Sequence, residues 1–139
     1  WNNARNAAGC APIREVRMYR LFVVDQFDAA HYLPEYQGKC ENIHGHRFKV
    51  VLRIRAHEVG TDGIAYDFAE MKRHLRRASA SLDHTCLNEL PMFATNPPSS
   101  ESIARWLYEQ LEPCFRDTPV EMDAVEVWES PTSGVSYSS

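Results

Sequence analysis

The stretch from His46 to His57 constrains the fold more than any other part of the chain, because its side chains alternate in character. Successive residues of a β-strand point to opposite faces of a sheet, so this period of two predicts a half-buried strand of an antiparallel sheet. Val51 is the one exception to the alternation. The predicted inner face carries His46, Phe48, Val50, Leu52, Ile54 and Ala56. The predicted solvated face carries Arg47, Lys49, Arg53, Arg55 and His57.

Three further strands and two helices are predicted around this segment. Residues 18–31 have apolar side chains at every second position, which predicts a strand, and residues 123–129 and 135–137 are also typical of strands. Helices are predicted to begin at Asp67 and near Ser99, since both residue types cap helix N-termini. The order β-β-α-α-β-β predicts an α+β class, a four-stranded antiparallel sheet with two helices packed on one face. Such a sheet leaves two exposed edges, which small domains often cover by oligomerising.

The size and composition of the chain limit the classes of protein to which it can belong. The chain has 139 residues, of which 44% are hydrophobic, and its net charge is −4. These values predict a single domain with a real core, and the acidic balance argues against a nucleic-acid partner. No apolar run approaches the roughly 20 residues of a membrane span. Residues 1–17 are interpreted as an N-terminal extension of unknown role, and residues 18–139 as the domain.

Cysteine usage and the start of the chain bear on the compartment. The four cysteines are spread widely and form no CxxC pair, so the sequence does not predict a disulfide framework. The first residues do not have the charged, apolar and small-residue order of a signal peptide. Together these features predict a protein of the reducing cytoplasm.

Three histidines form the candidate metal site. His44 and His46 flank one residue, so on a strand both imidazoles project to the same side. His31 lies at the end of the preceding strand and can meet them if the two strands pair. Three imidazoles around an open fourth position are typical of a catalytic zinc centre, although each histidine could also be an ordinary residue.

Other polar residues near these strands are candidate site residues, each with an alternative. Cys40 lies beside Lys39, which would favour a thiolate, so it could act as a base or nucleophile, ligate the metal, or have no role. Asp83 could orient His84, or the two could be a surface pair. Glu129 continues an apolar strand face and could accept two adjacent N–H groups from a ligand, unless the strand has left the core there.

Five motifs follow one another along the chain: FDAAHYLPEYQGKCENIHGHRFKV, YDFAEMK, LDHTCLNEL, PSSESIARW and VEVWES. In this order they resemble the 6-pyruvoyl tetrahydropterin synthase family, the pterin synthases of the tunnelling fold, and the resemblance extends from about Met18 to Tyr137. Three residues separate Cys40 from the HGH motif. This spacing resembles the bacterial 6-carboxy-tetrahydropterin synthase branch of queuosine biosynthesis, whereas animal-type enzymes generally have a longer gap.

The resemblance implies a role for each candidate residue. His31, His44 and His46 would bind Zn²⁺, and Cys40 would be the catalytic thiolate. Asp83 and His84 would form a proton relay with Cys40, brought together across a subunit boundary. Glu129 would anchor the pterin ring. Ser99 and Ser100, in the motif PSSESIARW, would help to hold the pterin.

The resemblance also implies a reaction and an assembly. The substrate would be the small molecule 7,8-dihydroneopterin triphosphate, converted by a zinc-dependent lyase to 6-carboxy-5,6,7,8-tetrahydropterin, acetaldehyde and triphosphate. Subunits would join edge to edge into a barrel, as a trimer or a dimer of trimers, with neither nucleic acid nor membrane as partner. The alternatives are a 6-pyruvoyl tetrahydropterin synthase, a zinc- and pterin-binding protein without turnover, and a structural zinc site in which Cys40 is the fourth ligand.

Overall fold

A computed structural model describes residues 17–139 of the chain. The predicted N-terminal extension, residues 1–17, therefore lies outside the described residues except for Arg17. The strands are β1 (Tyr19–His31), β2 (His44–Ala56), β3 (Thr85–Cys86), β4 (Glu121–Ser130) and β5 (Ser133–Tyr137). The helices are α1 (Phe68–Ser79) and α2 (Ser100–Leu111). Short 3-10 turns occupy Lys39–Glu41, Leu87–Glu89, Pro91–Phe93 and Glu112–Phe115.

The sheet is centred on β1 and β2, which pair in antiparallel fashion along their whole length. Tyr19 lies opposite Ala56 at one end, and His31 lies opposite His44 at the other. β4 pairs with the other side of β2, and β5 pairs with β4, both in antiparallel fashion. This register brings the predicted histidine pair and the predicted third histidine to the same end of the sheet.

The predicted α+β class with two helices is confirmed, but the prediction of four strands is wrong. The sheet has five strands in the order β3-β1-β2-β4-β5. The additional strand is parallel to β1, with Thr85 opposite Ala29 and Cys86 opposite Ala30. This strand could not be predicted from the sequence, because two residues are too few to show a periodicity.

The two helices begin where the sequence predicts. The Asp67 carboxylate accepts a hydrogen bond from the Ala69 N–H at 2.8 Å, and the Ser99 hydroxyl accepts one from the Ser102 N–H at 3.3 Å. These contacts satisfy backbone donors that a helix N-terminus otherwise leaves free. Within residues 17–139, no helix is long and apolar enough to cross a membrane.

The hydrophobic core lies between the inner face of the sheet and the two helices. Residues of β2 with even numbers are buried from Phe48 to Ala56, as the alternation predicts. α1 contributes Met71 and Leu75, whereas Phe68 at its start is exposed. The largest side chains with no exposed surface include Phe48, Leu52, Ile54, Met71, Leu75, Leu82, Leu87, Ile103, Leu107 and Leu111.

The arginines of β2 on the outer face of the sheet are paired with carboxylates from neighbouring strands, and Lys49 lies over the Trp128 ring. Arg55 donates to Glu121 at 2.8 Å, and Arg53 pairs with Glu126, which also accepts from the Trp128 indole N–H. Val51, the exception in the sequence pattern, is buried on this face. The outer face is therefore a surface of cross-strand ion pairs and not a free basic patch.

Candidate metal centre and substrate site

The three predicted histidines meet at the end of the sheet. Because His31 lies directly opposite His44 and Ala29 lies opposite His46, all three imidazoles project from the inner face. Their ring centroids are 4.6 Å (His31 and His44), 5.2 Å (His31 and His46) and 4.8 Å (His44 and His46) apart. One nitrogen of each ring lies within 4.8 Å of the other two.

Backbone carbonyls fix which nitrogen of two rings is free. His31 Nδ1 lies 2.7 Å from the Pro98 carbonyl oxygen, and His44 Nδ1 lies 2.7 Å from the Asn42 carbonyl oxygen. A carbonyl can only accept, so each Nδ1 carries the proton and each neutral ring keeps a lone pair on Nε2. Proteins usually orient a metal-binding histidine by such a hydrogen bond from the ring nitrogen that does not bind the metal.

The unpartnered nitrogens of the cluster are those that a metal would use. Among the residues that the structure describes, His31 Nε2 and His46 Nε2 are buried and have no hydrogen-bond partner. Burial lowers the pKa of His46 below its ordinary value of 6.5, which favours the neutral ring needed for coordination. Three neutral imidazoles with convergent lone pairs are a donor set that suits zinc and its neighbours in the first transition row. The residues present therefore fit a metal ion.

Cys40 lies near this centre in sequence but is not one of its convergent ligands. It occupies the 3-10 turn Lys39–Glu41, and its carbonyl accepts from the Leu33 N–H at 2.8 Å. The thiol is partly buried and free of any disulfide. Cys40 is not among the residues whose ligand atoms converge with the three histidines within 4.8 Å, so it would leave a fourth position of a bound metal open. An open position is typical of catalytic and not of structural zinc sites.

Glu129, on β4, lies next to the histidine cluster. Its Oε1 is 4.0 Å from His31 Nε2, and its side chain keeps 33% of its surface exposed. The buried hydroxyl of Ser100 donates a hydrogen bond of 2.8 Å to the same oxygen. A carboxylate has capacity for several hydrogen bonds, so Glu129 can still accept from a ligand. The structure thus brings together two of the residues predicted to hold substrate.

The two neighbouring serines, Ser99 and Ser100, make different contacts. Ser100 contacts Glu129, whereas the Ser99 hydroxyl accepts from the Ser102 N–H and caps α2. Sequence reasoning placed both serines at the substrate site and also predicted Ser99 near the helix start. The structure shows the capping contact for Ser99 and the contact with the site carboxylate for Ser100.

Asp83 and His84 form a second cluster, together with a residue that the sequence reasoning missed. His84 Nδ1 lies 2.9 Å from Asp83 Oδ2. Asp83 Oδ1 accepts from the Asp28 N–H at 2.9 Å, and the His84 N–H donates to the Asp28 carbonyl at 2.6 Å. These hydrogen bonds lower the pKa of Asp83, the largest effect coming from the Asp28 N–H and the next from His84. Asp83 is therefore ionised at neutral pH and can orient the imidazole.

His84 is also distinguished by its backbone. Its φ of 56° lies in the left-handed region, and it is the only residue other than glycine with a positive φ in the described part of the chain. Such a conformation costs energy for a residue with a side chain and clusters at functional sites. The side chain of His84 is 77% exposed, so a partner molecule can reach it.

The two clusters lie on opposite faces of the β1–β2 pair. His31, His44 and His46 share the inner parity, whereas Asp28 shares the outer parity with Arg47, its cross-strand partner. Asp28 could have been found from the sequence once His31 was placed opposite His44, because that register also places Asp28 opposite Arg47. Asp83 and His84 are held beside Asp28, in a cluster separate from the three histidines.

The fold and the site together define a class of protein. It is an α+β domain that presents a three-histidine centre, fit to hold a metal, beside a partly exposed carboxylate. Residues 20–139 match the sequence profile of the family described as 6-pyruvoyl tetrahydropterin synthase. The chain therefore belongs to the 6-pyruvoyl tetrahydropterin synthase family.

Individual relatives include members of both branches. The chain is 34% identical over 125 residues to the 6-carboxy-5,6,7,8-tetrahydropterin synthase of Synechocystis sp., covering 86% of this chain and 93% of that protein. It is 29% identical over 127 residues to a putative 6-pyruvoyl tetrahydrobiopterin synthase of Caenorhabditis elegans, covering 82% and 90%. The solved structure of Caenorhabditis elegans 6-pyruvoyl tetrahydropterin synthase matches with a TM-score of 0.80 at 26% identity, covering 89% of this chain and 97% of that chain.

Proposed function

We propose that this chain is a zinc-dependent lyase that converts 7,8-dihydroneopterin triphosphate and water to 6-carboxy-5,6,7,8-tetrahydropterin, acetaldehyde and triphosphate. The reaction would belong to queuosine and 7-deazapurine biosynthesis in the cytoplasm. The observation that carries the proposal is the cluster of three histidines beside Glu129, in which His31 Nε2 and His46 Nε2 are buried and unpartnered. The similarity to the Synechocystis protein over most of both chains supports the carboxy branch, as does the spacing between Cys40 and the HGH motif.

His31, His44 and His46 would hold the zinc ion. When bound, the metal would supply Lewis acidity, which makes the C–H and O–H groups of the substrate's side chain easier to deprotonate. The carbonyls of Pro98 and Asn42 hold two of the rings in the tautomer that coordination requires.

Glu129 and Ser100 would place the pterin ring. The Glu129 carboxylate can accept two parallel N–H groups from the pterin amino group and ring nitrogen. Ser100 donates to one oxygen of this carboxylate and so fixes its orientation before the substrate arrives. Ser99 would contribute through the position of the helix that it caps. Placement matters because a misplacement of about 1 Å can lower the rate by about 10²-fold.

Cys40 would take a proton from the substrate side chain, and Asp83 with His84 would move protons to and from the intermediate. Asp83 keeps His84 Nδ1 engaged at 2.9 Å and leaves Nε2 for the reacting group. Because the Asp83–His84 pair is clustered on the outer face while the histidine cluster lies on the inner face, we propose that the pair acts with the Cys40 of another copy. This arrangement supports a trimer or a dimer of trimers whose subunits form a barrel.

The test is an incubation of the zinc-loaded protein with 7,8-dihydroneopterin triphosphate, with acetaldehyde and pterin products followed by mass spectrometry. We expect one acetaldehyde for each 6-carboxy-5,6,7,8-tetrahydropterin formed. Loss of triphosphate without acetaldehyde would identify a 6-pyruvoyl tetrahydropterin synthase, the second candidate, which the similarity to the Caenorhabditis elegans protein supports. Substrate that binds and stays intact would indicate a binding protein without turnover.

The variant Cys40→Ala separates catalysis from binding. We expect it to lose at least about 10²-fold in turnover, the usual contribution of a proton-transfer group, while it keeps zinc and pterin. Cys114→Ala is the matched control, because Cys114 is also a partly buried free cysteine but lies in the 3-10 turn Glu112–Phe115 that follows α2. Loss of zinc from Cys40→Ala would instead indicate a structural site with Cys40 as its fourth ligand.

A further inference from the structure

An ion pair holds Asp28 at the edge of the Asp83–His84 cluster. Arg47 Nε donates to Asp28 Oδ1 at 2.9 Å, and a second nitrogen of the same guanidinium donates to Asp28 Oδ2 at 3.2 Å. This fork engages both carboxylate oxygens at once, a geometry that arginine provides and lysine does not. The hydrogen bond from Arg47 lowers the pKa of Asp28, so Asp28 is a full negative charge at neutral pH.

Without Arg47, Asp28 would compete with Asp83 for His84. One oxygen of Asp28, one oxygen of Asp83 and one ring nitrogen of His84 all lie within 4.8 Å of one another. His84 Nδ1 has a single proton to donate, and it is directed to Asp83 at 2.9 Å. The Asp28 carboxylate therefore already lies near the His84 ring, and the two hydrogen bonds from Arg47 engage both of its oxygens. The two carboxylates also repel each other, which favours any arrangement that separates them.

We propose that Arg47 is a positioning residue for the reaction, because it holds the Asp28 carboxylate away from His84 and so keeps His84 paired with Asp83. Arg47 does not touch the Asp83–His84 pair through its own hydrogen bonds; it acts through Asp28. The role rests on the proposed function for its kinetic consequences, since His84 matters to the rate only if it moves protons.

A double-mutant cycle tests this role. We expect Arg47→Gln to lower kcat by about tenfold to 10²-fold with KM little changed, because the substrate anchor is untouched while the proton relay is misplaced. Asp28→Asn removes the competing charge but keeps the backbone N–H and carbonyl that contact Asp83 and His84, and it provides the second single variant of the cycle. The double variant Arg47→Gln/Asp28→Asn is expected to recover to within about threefold of the wild type, a non-additivity that a contact network produces.

A merely structural role for the ion pair predicts the opposite pattern. If Arg47 only joined β1 to β2, the double variant would be no faster than Arg47→Gln, and that result would overturn the proposal. A loss of zinc from Arg47→Gln that the second substitution does not restore would also overturn it, because Arg47 follows His46 directly. The matched control is Arg55→Gln, which breaks an exposed cross-strand pair of similar length with Glu121, between β2 and β4 and at the end of β2 far from the site.

Crystal structures of the wild type and of Arg47→Gln give a readout that does not depend on turnover. We expect His84 Nδ1 to contact Asp83 in the wild type and Asp28 in the variant. If the wild type shows no turnover of the pterin triphosphate but the contact moves as expected, the proposed function fails and the positioning role stands. If turnover is present and His84 keeps Asp83 in the variant, the positioning role fails alone.

Discussion

The neighbouring serines at the start of α2 allow a separation of binding from stability by two single substitutions. Ser100 donates a hydrogen bond of 2.8 Å to the Glu129 carboxylate, whereas Ser99 accepts from the Ser102 N–H at 3.3 Å. Ser99→Ala and Ser100→Ala each remove a single hydroxyl group, and the two positions are adjacent in the chain. We expect Ser100→Ala to weaken pterin binding with little loss of stability, and Ser99→Ala to do the reverse.

The magnitudes follow from the contacts. Without Ser100, ligand binding itself must fix the Glu129 side chain, which costs about 0.5–1.5 kcal/mol. Stability changes little because this side chain is one-third exposed, so water can replace the lost hydrogen bond. A loss of about 1.4 kcal/mol corresponds to about a tenfold rise in Kd. Loss of a serine cap costs about 0.5–2 kcal/mol, and the long contact of Ser99 places it near about 0.5–1 kcal/mol. That loss lowers the Tm of a domain of this size by about 2–5 °C.

The assay is a calorimetric titration of each zinc-loaded variant with 7,8-dihydroneopterin, together with a thermal melt of the ligand-free protein. The wild type and the two single variants form the complete comparison. An unchanged Kd in Ser100→Ala would refute the reasoning that Ser100 orients the anchoring carboxylate. A Kd raised more by Ser99→Ala than by Ser100→Ala would show that the helix start, and not the contact with Glu129, controls pterin binding.

Three further predictions concern the metal centre and the sheet. His44→Ala should lower bound zinc below one ion per two chains, as measured by mass spectrometry of the metal, while His74→Ala, on α1, should retain it. Burial lowers the pKa of His46 in the folded protein, so below pH 6.5, its ordinary pKa, the unfolded chain binds more protons than the folded one. The stability of the metal-free protein should therefore fall as the pH drops from 6.5 toward the lowered pKa. Thermal melts across this pH range measure the effect, and a flat profile would contradict it. Gly134→Ala should destabilise the protein by about 1–3 kcal/mol in denaturant unfolding, since its Cβ would lie 2.7 Å from the Trp128 ring, and an unchanged midpoint would contradict the close packing.

Much of the sheet could be predicted from the sequence because its strands alternate clearly. The inner parity of β2 and of β1 is visible in the order of apolar residues, and burial follows it from Phe48 to Ala56. The helix starts at Asp67 and Ser99 were predictable because capping is a local interaction. Phe68, Met71 and Leu75 recur at helical spacing in the sequence, yet only Met71 and Leu75 are buried. The spacing predicts which residues share one side of a helix and not where the packed surface ends.

The short strand β3 shows the limit of local reasoning. Its two residues carry no periodicity, and they become a strand only because they lie beside Ala29 and Ala30 of β1. That contact joins residues more than fifty positions apart in the chain. The pairing depends on the path of the chain after α1, which no local pattern determines.

The sequence alone determined the types of residue that the site contains and the alternation that puts His44 and His46 on one face. It also identified Cys40, Asp83, His84 and Glu129 as candidate site residues, because the acid–base and hydrogen-bonding chemistry of a side chain follows from the residue type. Only the tertiary structure decided which nitrogens are free, since the carbonyls of Pro98 and Asn42 reach the rings through the fold. Cross-strand register likewise decided the contact between Asp28 and Arg47. Hydrogen bonds act over about 3 Å, so their partners follow from the packing of distant segments and not from the spacing of residues along the chain.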